Sequence, residues 1–408
     1  MYCADVESWG RKVITKFKKD EILFYLSYII LYISLFIGDV YNIGSMDILA
    51  RYLRIGSYIL VFISCINMRL KKKDFFRMVT ILMVTLLYGV KTGDLYWSIL
   101  ILLIYNSKKV DIERVYKTSS RIIAIGIISV LALCMFGVLP DILTSRNTVE
   151  QINYNRHSFG FYHSNVLPLL IFYLEVYYIC VAKGKLRYNV IVLFMLLAGV
   201  ANIFCHSRNG LILSLALSLF VAFVKKMKKD EHKILYRATI LSIPCMSIFS
   251  FSMMFLLLKG GIWDTIDNFF SGRFRLAIFK MRRIGIHLIN IMSNELFAKD
   301  NITYVDGNDL SSIVLDNGYL YVILRYGILI ILVYFLIAYC LAKKNKGNAC
   351  VLGALIAVFI ANFVDNDLVD YSFLPFILWA FNDVRVDSII KTMGKKVDEI
   401  YKGNIEII

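Results

Sequence analysis

The sequence predicts an all-α fold: a polytopic membrane helix bundle of about 12 transmembrane helices, with one large extracytoplasmic loop containing an amphipathic helix. Three observations predict it. Hydrophobic residues make up 59% of the 408 residues and charged ones only 19%, against about 45–50% and about 25% in a soluble domain. The apolar residues fall into runs of roughly 16–25, the length that crosses a bilayer as a helix. The charges sit in short clusters between those runs. A single soluble core and a disordered chain are thereby excluded.

Twelve runs qualify as spans: 22–38, 52–68, 75–91, 94–106, 121–139, 163–182, 188–204, 209–224, 234–258, 317–342, 349–364 and 371–383. Backbone groups in lipid need partners within the segment, which makes each a helix. The fourth is short and the twelfth weakly apolar. The first run has no small-residue cleavage site after it and reads as a retained anchor.

Orientation follows from the basic residues. With the N-terminus in the cytoplasm, seven inward segments hold 32 of the 46 Lys and Arg, and seven of the others lie in one long loop. The positive-inside rule is met at every turn. The net charge of +16 is therefore topogenic. No basic stripe interleaves with aromatics, and no nucleic acid is expected as a partner. Of the eight cysteines, Cys65, Cys134, Cys180, Cys245, Cys340 and Cys350 lie in or beside apolar runs, and no Cys-x-x-Cys occurs. They read as unpaired packing residues.

The chain divides into helices one to nine over residues 1–258, an extracytoplasmic loop over 259–316, helices ten to twelve over 317–383, and a cytoplasmic tail over 384–408. The loop is far longer than an ordinary connector, which implies structure and a task of its own. Neither Gly-x-x-x-x-Gly-Lys nor Gly-x-Gly-x-x-Gly occurs. Chemistry is therefore expected on the outer face, with no cofactor and no metal.

Four polar groups stand out on that face. Arg156-His157-Ser158-Phe159-Gly160-Phe161-Tyr162-His163-Ser164-Asn165 precedes the sixth span. It reads either as an interfacial belt or as an anion or sugar site. His206-Ser207-Arg208-Asn209-Gly210 turns between spans seven and eight. Arg208 either snorkels or joins the helix dipole in binding a phosphate. The long loop carries Ser271-Gly272-Arg273-Phe274-Arg275 and then an apparent helix to about 297. On it Lys280, Arg283, His287, Asn290 and Asn294 fall within an arc of about 80°. That basic amphipathic helix either lies on the membrane or presents cations to a lipid phosphate.

The last group is Asp316-Asn317-Gly318-Tyr319-Leu320, opening span ten. Arg325 sits about 12 Å into that helix, a depth at which a charge needs a cavity or a partner, and Glu175 in span six is a candidate partner. Asp365-Asn366-Asp367 and Asp370 read as a solvated acidic turn in preference to a metal site.

Together these groups resemble the O-antigen polymerase and ligase superfamily, specifically the Wzy-type polymerases of surface polysaccharide assembly. The resemblance rests on the order and sidedness of residues 156–165, 207–210, 271–273 and 316–320 with Tyr326-Gly327, and covers about residues 75–380. Ligase-like members usually carry a histidine where this chain has Asp316 or Asn317, which favours polymerase. The resemblance implies an enzyme of the cytoplasmic membrane, a glycosyltransferase with both termini inside. It would join undecaprenyl-pyrophosphate-linked oligosaccharides into capsule or O-antigen, among membrane lipid and beside flippase and chain-length regulator proteins.

On that reading Arg208 and Arg273 hold the leaving pyrophosphate, Arg156 supports them, and His163 or Asp316 deprotonates the acceptor. Asn165, Arg275, Arg283, His287, Asn317, Tyr319 and Arg325 contribute to substrate binding. A lipid-linked oligosaccharide flippase or transporter is the competing reading, although no half-to-half repeat is visible. A ligase-like glycosyltransferase and a membrane acyltransferase follow.

Overall fold

A computed structural model of the chain describes residues 19–41, 46–66, 70, 72–108, 110–146, 154–183, 185–225, 232–270, 272–291, 304–305, 308–309 and 315–382. The tail at 384–408, Ser271 and Asn294 lie outside the described residues.

The fold is all-α. In order come α1 (Lys19–Phe36), α2 (Met46–Ile66), α3 (Lys72–Thr92), α4 (Tyr96–Ser107) and α5 (Ile112–Met135). Then follow α6 (Val166–Ala182), α7 (Tyr188–Cys205), α8 (Arg208–Val224) and α9 (His232–Leu257). The loop region holds α10 (Ile262–Phe269) and α11 (Arg273–Ile284). The chain closes with α12 (Gly318–Tyr326), α13 (Ile330–Lys344), α14 (Ala349–Val364) and α15 (Leu374–Phe381). Among the described residues strand pairing forms two antiparallel hairpins, β1 (Leu143–Arg146) with β2 (Tyr154–His157), and β3 (Tyr304–Val305) with β4 (Asn308–Asp309).

Among the described residues six helices are long and apolar enough to cross a membrane: Glu21–Asp39, α2, α3, α5, α7 and α9. Their outward faces are apolar. Val90, Met135 and Phe136 are 80%, 87% and 83% exposed, a surface that in water would be an aggregation liability. The inside is built on α6, α14 and α15, buried along nearly their whole length. Large aromatics fill it: Tyr116 meets Tyr177, Phe376 and Trp379 edge-on. Close helix approach is met by glycine where no side chain fits. A Cβ at Gly353 would lie 2.0 Å from the Phe220 ring, and one at Gly210 2.5 Å from Pro168. All seven described cysteines are free.

Two expected elements differ. The run at 317–342 is two helices, broken at Gly327, whose φ of +97° suits glycine. There the loop segment lies alongside like a strand: Ile328 N–H donates to His287 O at 3.0 Å, Leu329 N–H to Leu288 O at 3.2 Å, and Asn290 N–H to Tyr326 O at 3.0 Å. The basic amphipathic helix ends at Ile284, where Gly285 takes a φ of +76°, well short of 297. His287 and Asn290 therefore leave the expected helical stripe and pin the loop to the broken helix.

Gly327→Ala tests that joint. Its Cβ would lie 2.5 Å from Leu288 O and 2.7 Å from Ile289 Cα. The combined clash and backbone strain should cost roughly 1–3 kcal/mol, read as a lower Tm of the detergent-purified protein. An unchanged Tm would show that the adjoining loop yields freely.

Candidate functional site

A cavity of about 540 Å³ opens at one end of the bundle. It is bounded by the start of α6, the residues after α14, the end of the first helix at Asp39, and Asp316 before α12. Five carboxylates line it, from Asp39, Asp316, Asp365, Asp367 and Asp370, together with His163 and Asn165. Among the described residues no arginine or lysine lines it.

Asp367, Asp39 and Asp316 are met by side chains distant in sequence, Asp365 and Asp370 by the backbone N–H of the next residue. The Tyr173 hydroxyl in α6 donates to Asp367 at 2.9 Å, and the Tyr371 hydroxyl donates to Asp39. Backbone N–H groups of Asn366 and Tyr371 donate to Asp365 and Asp370 at 2.9 and 2.6 Å. Arg273 lies 3.7 Å from Asp316. Burial, then the neighbouring Asp365 and Asp370, push the Asp367 carboxyl well above the usual range. Burial raises Asp316 as well, against the opposing pull of Arg273 and His163. The turn read as a solvated acidic loop is thus a cavity wall, with Asp367 only 4% exposed. Among the described residues no group of three or more His, Cys, Asp or Glu is placed to hold a metal ion.

His163 and Asp316 come together on the cavity as the sequence suggested, and Asn165 joins them. The arginines do not share a hollow. Arg273 is 7% exposed and donates to the carbonyl of Val364, the last residue of α14. Arg156 donates to the carbonyl of Cys205, the last residue of α7, at 3.1 Å, and to Asn165 at 2.5 Å. Both guanidiniums thus serve helix C-termini, whose unpaired carbonyls and dipole favour a cation. They stand behind the cavity wall, each touching a lining residue. Of the three arginines expected at the pyrophosphate, Arg208 is the exposed one, at the first position of α8.

Most of the other expected binders are engaged in contacts within the fold. Asn317 caps α12, accepting from Leu320 N–H at 3.0 Å and donating to Ser250 and to the carbonyl of Phe363. The fully buried Tyr319 donates to Phe359 O at 2.7 Å. A ring nitrogen of His287 meets Ile284 O at the end of α11. Arg275 pairs with Asp264 and Asp267 at 3.3 and 3.8 Å, and Arg283 lies exposed in the last turn of α11. His157, next to Arg156, meets Asp141 at 2.5 Å. Burial opposes ionisation of Asp141, but His157 and two backbone N–H groups outweigh it and hold that carboxyl low.

Arg325 pairs with Asp94 at 2.7 Å and with the Tyr321 hydroxyl. Glu175, proposed as its partner, instead accepts from the Ser218 hydroxyl at 2.6 Å. Asp94 sits in the three-residue gap between α3 and α4, where sequence reading placed the start of a span and saw no polar turn.

A second, apolar cleft of about 700 Å³ lies between α3, α4 and α13, lined among others by Val84, Trp97, Ile101 and Val333. A narrow hollow of about 70 Å³ separates the two. It shares Leu100 with the cleft, and Asp370 and Tyr371 with the acidic cavity. The sequence matches no family model, and neither curated proteins nor solved structures match it.

Two outcomes test this arrangement. Burial, then Asp316, push Asp365 up to about 7. Its protonated form favours the folded state, so that contribution is whole below the unfolded value of about 3.9 and fades as pH rises towards the folded one. Asp365→Asn should therefore flatten the fall in Tm between about pH 4 and 7; an unchanged slope would assign the effect to other groups. Separately, Arg325→Gln strands the Asp94 charge and should cost about 3–5 kcal/mol. The double variant with Asp94→Asn should recover part of the lost Tm, whereas additive losses would disprove the pairing.

Proposed function

We propose that this chain is a membrane glycosyltransferase of the polymerase kind, joining lipid-diphosphate-linked oligosaccharides on the outer face of the cytoplasmic membrane. The observation that carries this reading is convergence. His163 and Asn165 share one cavity with Asp316, and Arg273 touches Asp316. Arg156 ties that segment to Cys205, three residues before Arg208. All four groups that the resemblance rests on thus meet at one end of the bundle. Among the described residues six helices are long and apolar enough to cross a membrane, and the basic residues favour a cytoplasmic N-terminus.

The chemistry then divides between two places. Asp316 or His163 takes the proton of the acceptor hydroxyl as its oxygen bonds to the anomeric carbon of the donor. The bond from that carbon to the diphosphate oxygen breaks, and the lipid diphosphate leaves with the electron pair. A diphosphate cannot sit among five carboxylates. Exposed Arg208, at the positive end of α8, is the group suited to it. The apolar cleft is suited to the hydrocarbon chain. A ligase-like relative would use the same steps with a different acceptor.

One observation favours a transporter instead: a carboxylate-lined cavity inside a bundle that also buries Glu175. Intramembrane carboxylates are a common mark of proton-coupled carriers. A strain lacking the protein separates the two, since a polymerase leaves single repeat units on the outer leaflet and a flippase leaves them on the inner one.

Reconstitution with purified lipid-linked repeat unit, without nucleotide or metal, should give a polymer ladder. Asp316→Asn and Arg208→Ala should each lower the rate by about 10²–10³ at unchanged protein level. Full-length ladders from both variants would sink the assignment.

A further inference from the structure

The lining of the acidic cavity also says what kind of sugar it takes. A carboxylate oxygen accepts hydrogen bonds and donates none when ionised. The donors nearest to hand are already engaged, Tyr173 on Asp367 and Tyr371 on Asp39. Burial favours a proton on Asp365 and Asp367, which gives each one O–H donor, but the remaining oxygens of the five carboxyl groups still leave a surplus of acceptors. The Ser372 side chain, only 3% exposed, lines the same hollow with a hydroxyl that has no partner. The side-chain oxygen of Asn366 is likewise buried and unpartnered there. Buried polar groups in native folds are otherwise paired, so these two await a ligand or water.

The complement of such a surface is a molecule rich in donors and free of negative charge. Sugar hydroxyls each supply one donor, and the C–H face of the ring suits Val166, Leu169 and Leu170 on the same wall. A uronate or phosphorylated sugar would bring further acceptors and a like charge, with no lysine or arginine among the described lining residues to meet it. We infer that the cavity is a sugar subsite that accepts a polyhydroxylated residue bearing no anionic group and rejects acidic sugars. Its role as the acceptor subsite rests on the polymerase reading; the binding itself does not.

Saturation-transfer NMR on the full-length protein in neutral detergent provides the test. The probes are methyl glycosides of glucose, galactose, rhamnose, N-acetylglucosamine and N-acetylgalactosamine, set against methyl glucuronide and methyl galacturonide near neutral pH. At least one neutral glycoside should bind, and the uronides should bind at least tenfold more weakly. Ser372→Phe, which fills the hollow, should remove the signal, as should the milder Asn366→Leu if the first fails to fold. Equal binding of uronides and neutral glycosides, no binding by any neutral probe, or binding that survives in a folded variant would each overturn the inference. Selective binding in a protein that makes no polymer ladder would leave the sugar subsite standing and remove the transferase role.

Discussion

Carboxylates crowded into one hollow repel each other, and the cavity end of this bundle is built around offsetting that repulsion. Two phenols, two backbone N–H groups and one guanidinium meet the five aspartates. Asp365 and Asp367 also hold their protons more tightly than exposed carboxyls do, because burial and like neighbours disfavour the charged form. The carboxylates and the groups that support them come from the first helix end, α6, α11, the residues before α12 and the turn after α14. Holding those charges together therefore requires the whole helical frame to be assembled. The same cost leaves carboxyl groups poised to exchange a proton with a bound hydroxyl, which links the packing to the chemistry proposed for it.

The arginines obey a different constraint. A buried helix end leaves carbonyls without partners, and Arg156 and Arg273 each answer one such end, at Cys205 and Val364. Their charge is committed to closing the frame, and the acidic wall is what they brace. Arg208 lies exposed at the start of α8, whereas Arg273, although it too begins a helix, turns its guanidinium to the C-terminus of α14. One residue type thus divides into supports and a free charge according to which end of a helix it meets.

Much of the frame was legible because bilayer physics writes itself into composition. Long apolar runs and clustered basic residues located the helices at 19–36, 188–205 and 232–257 within a few positions. What periodicity could not show was interruption. Gly327 breaks a run that is apolar on both sides, and only its positive φ and the strand-like neighbour reveal the gap. Of the site, His163 and Asp316 were found by their polarity in apolar surroundings. Asp39 was missed because its meaning is a long-range pairing: Tyr371 reaches it across 332 residues, while Asp370 was read as part of a solvated turn. Asp-Asn-Asp in a turn has the same look whether water or protein surrounds it. Asp94 was hidden in the same way, since its partner Arg325 lies 231 residues away.

The backbone pairing between 287–290 and 326–329 has a mechanical consequence. It welds the far end of the loop helices to the elbow between α12 and α13, while Arg273 fastens their near end to α14. A segment clamped at both ends swings little. Any rocking of it is levered into α12, which carries Arg325 and its grip on the gap between α3 and α4. The segment is in this sense a crossbar of the bundle, a strut that ties its two ends together.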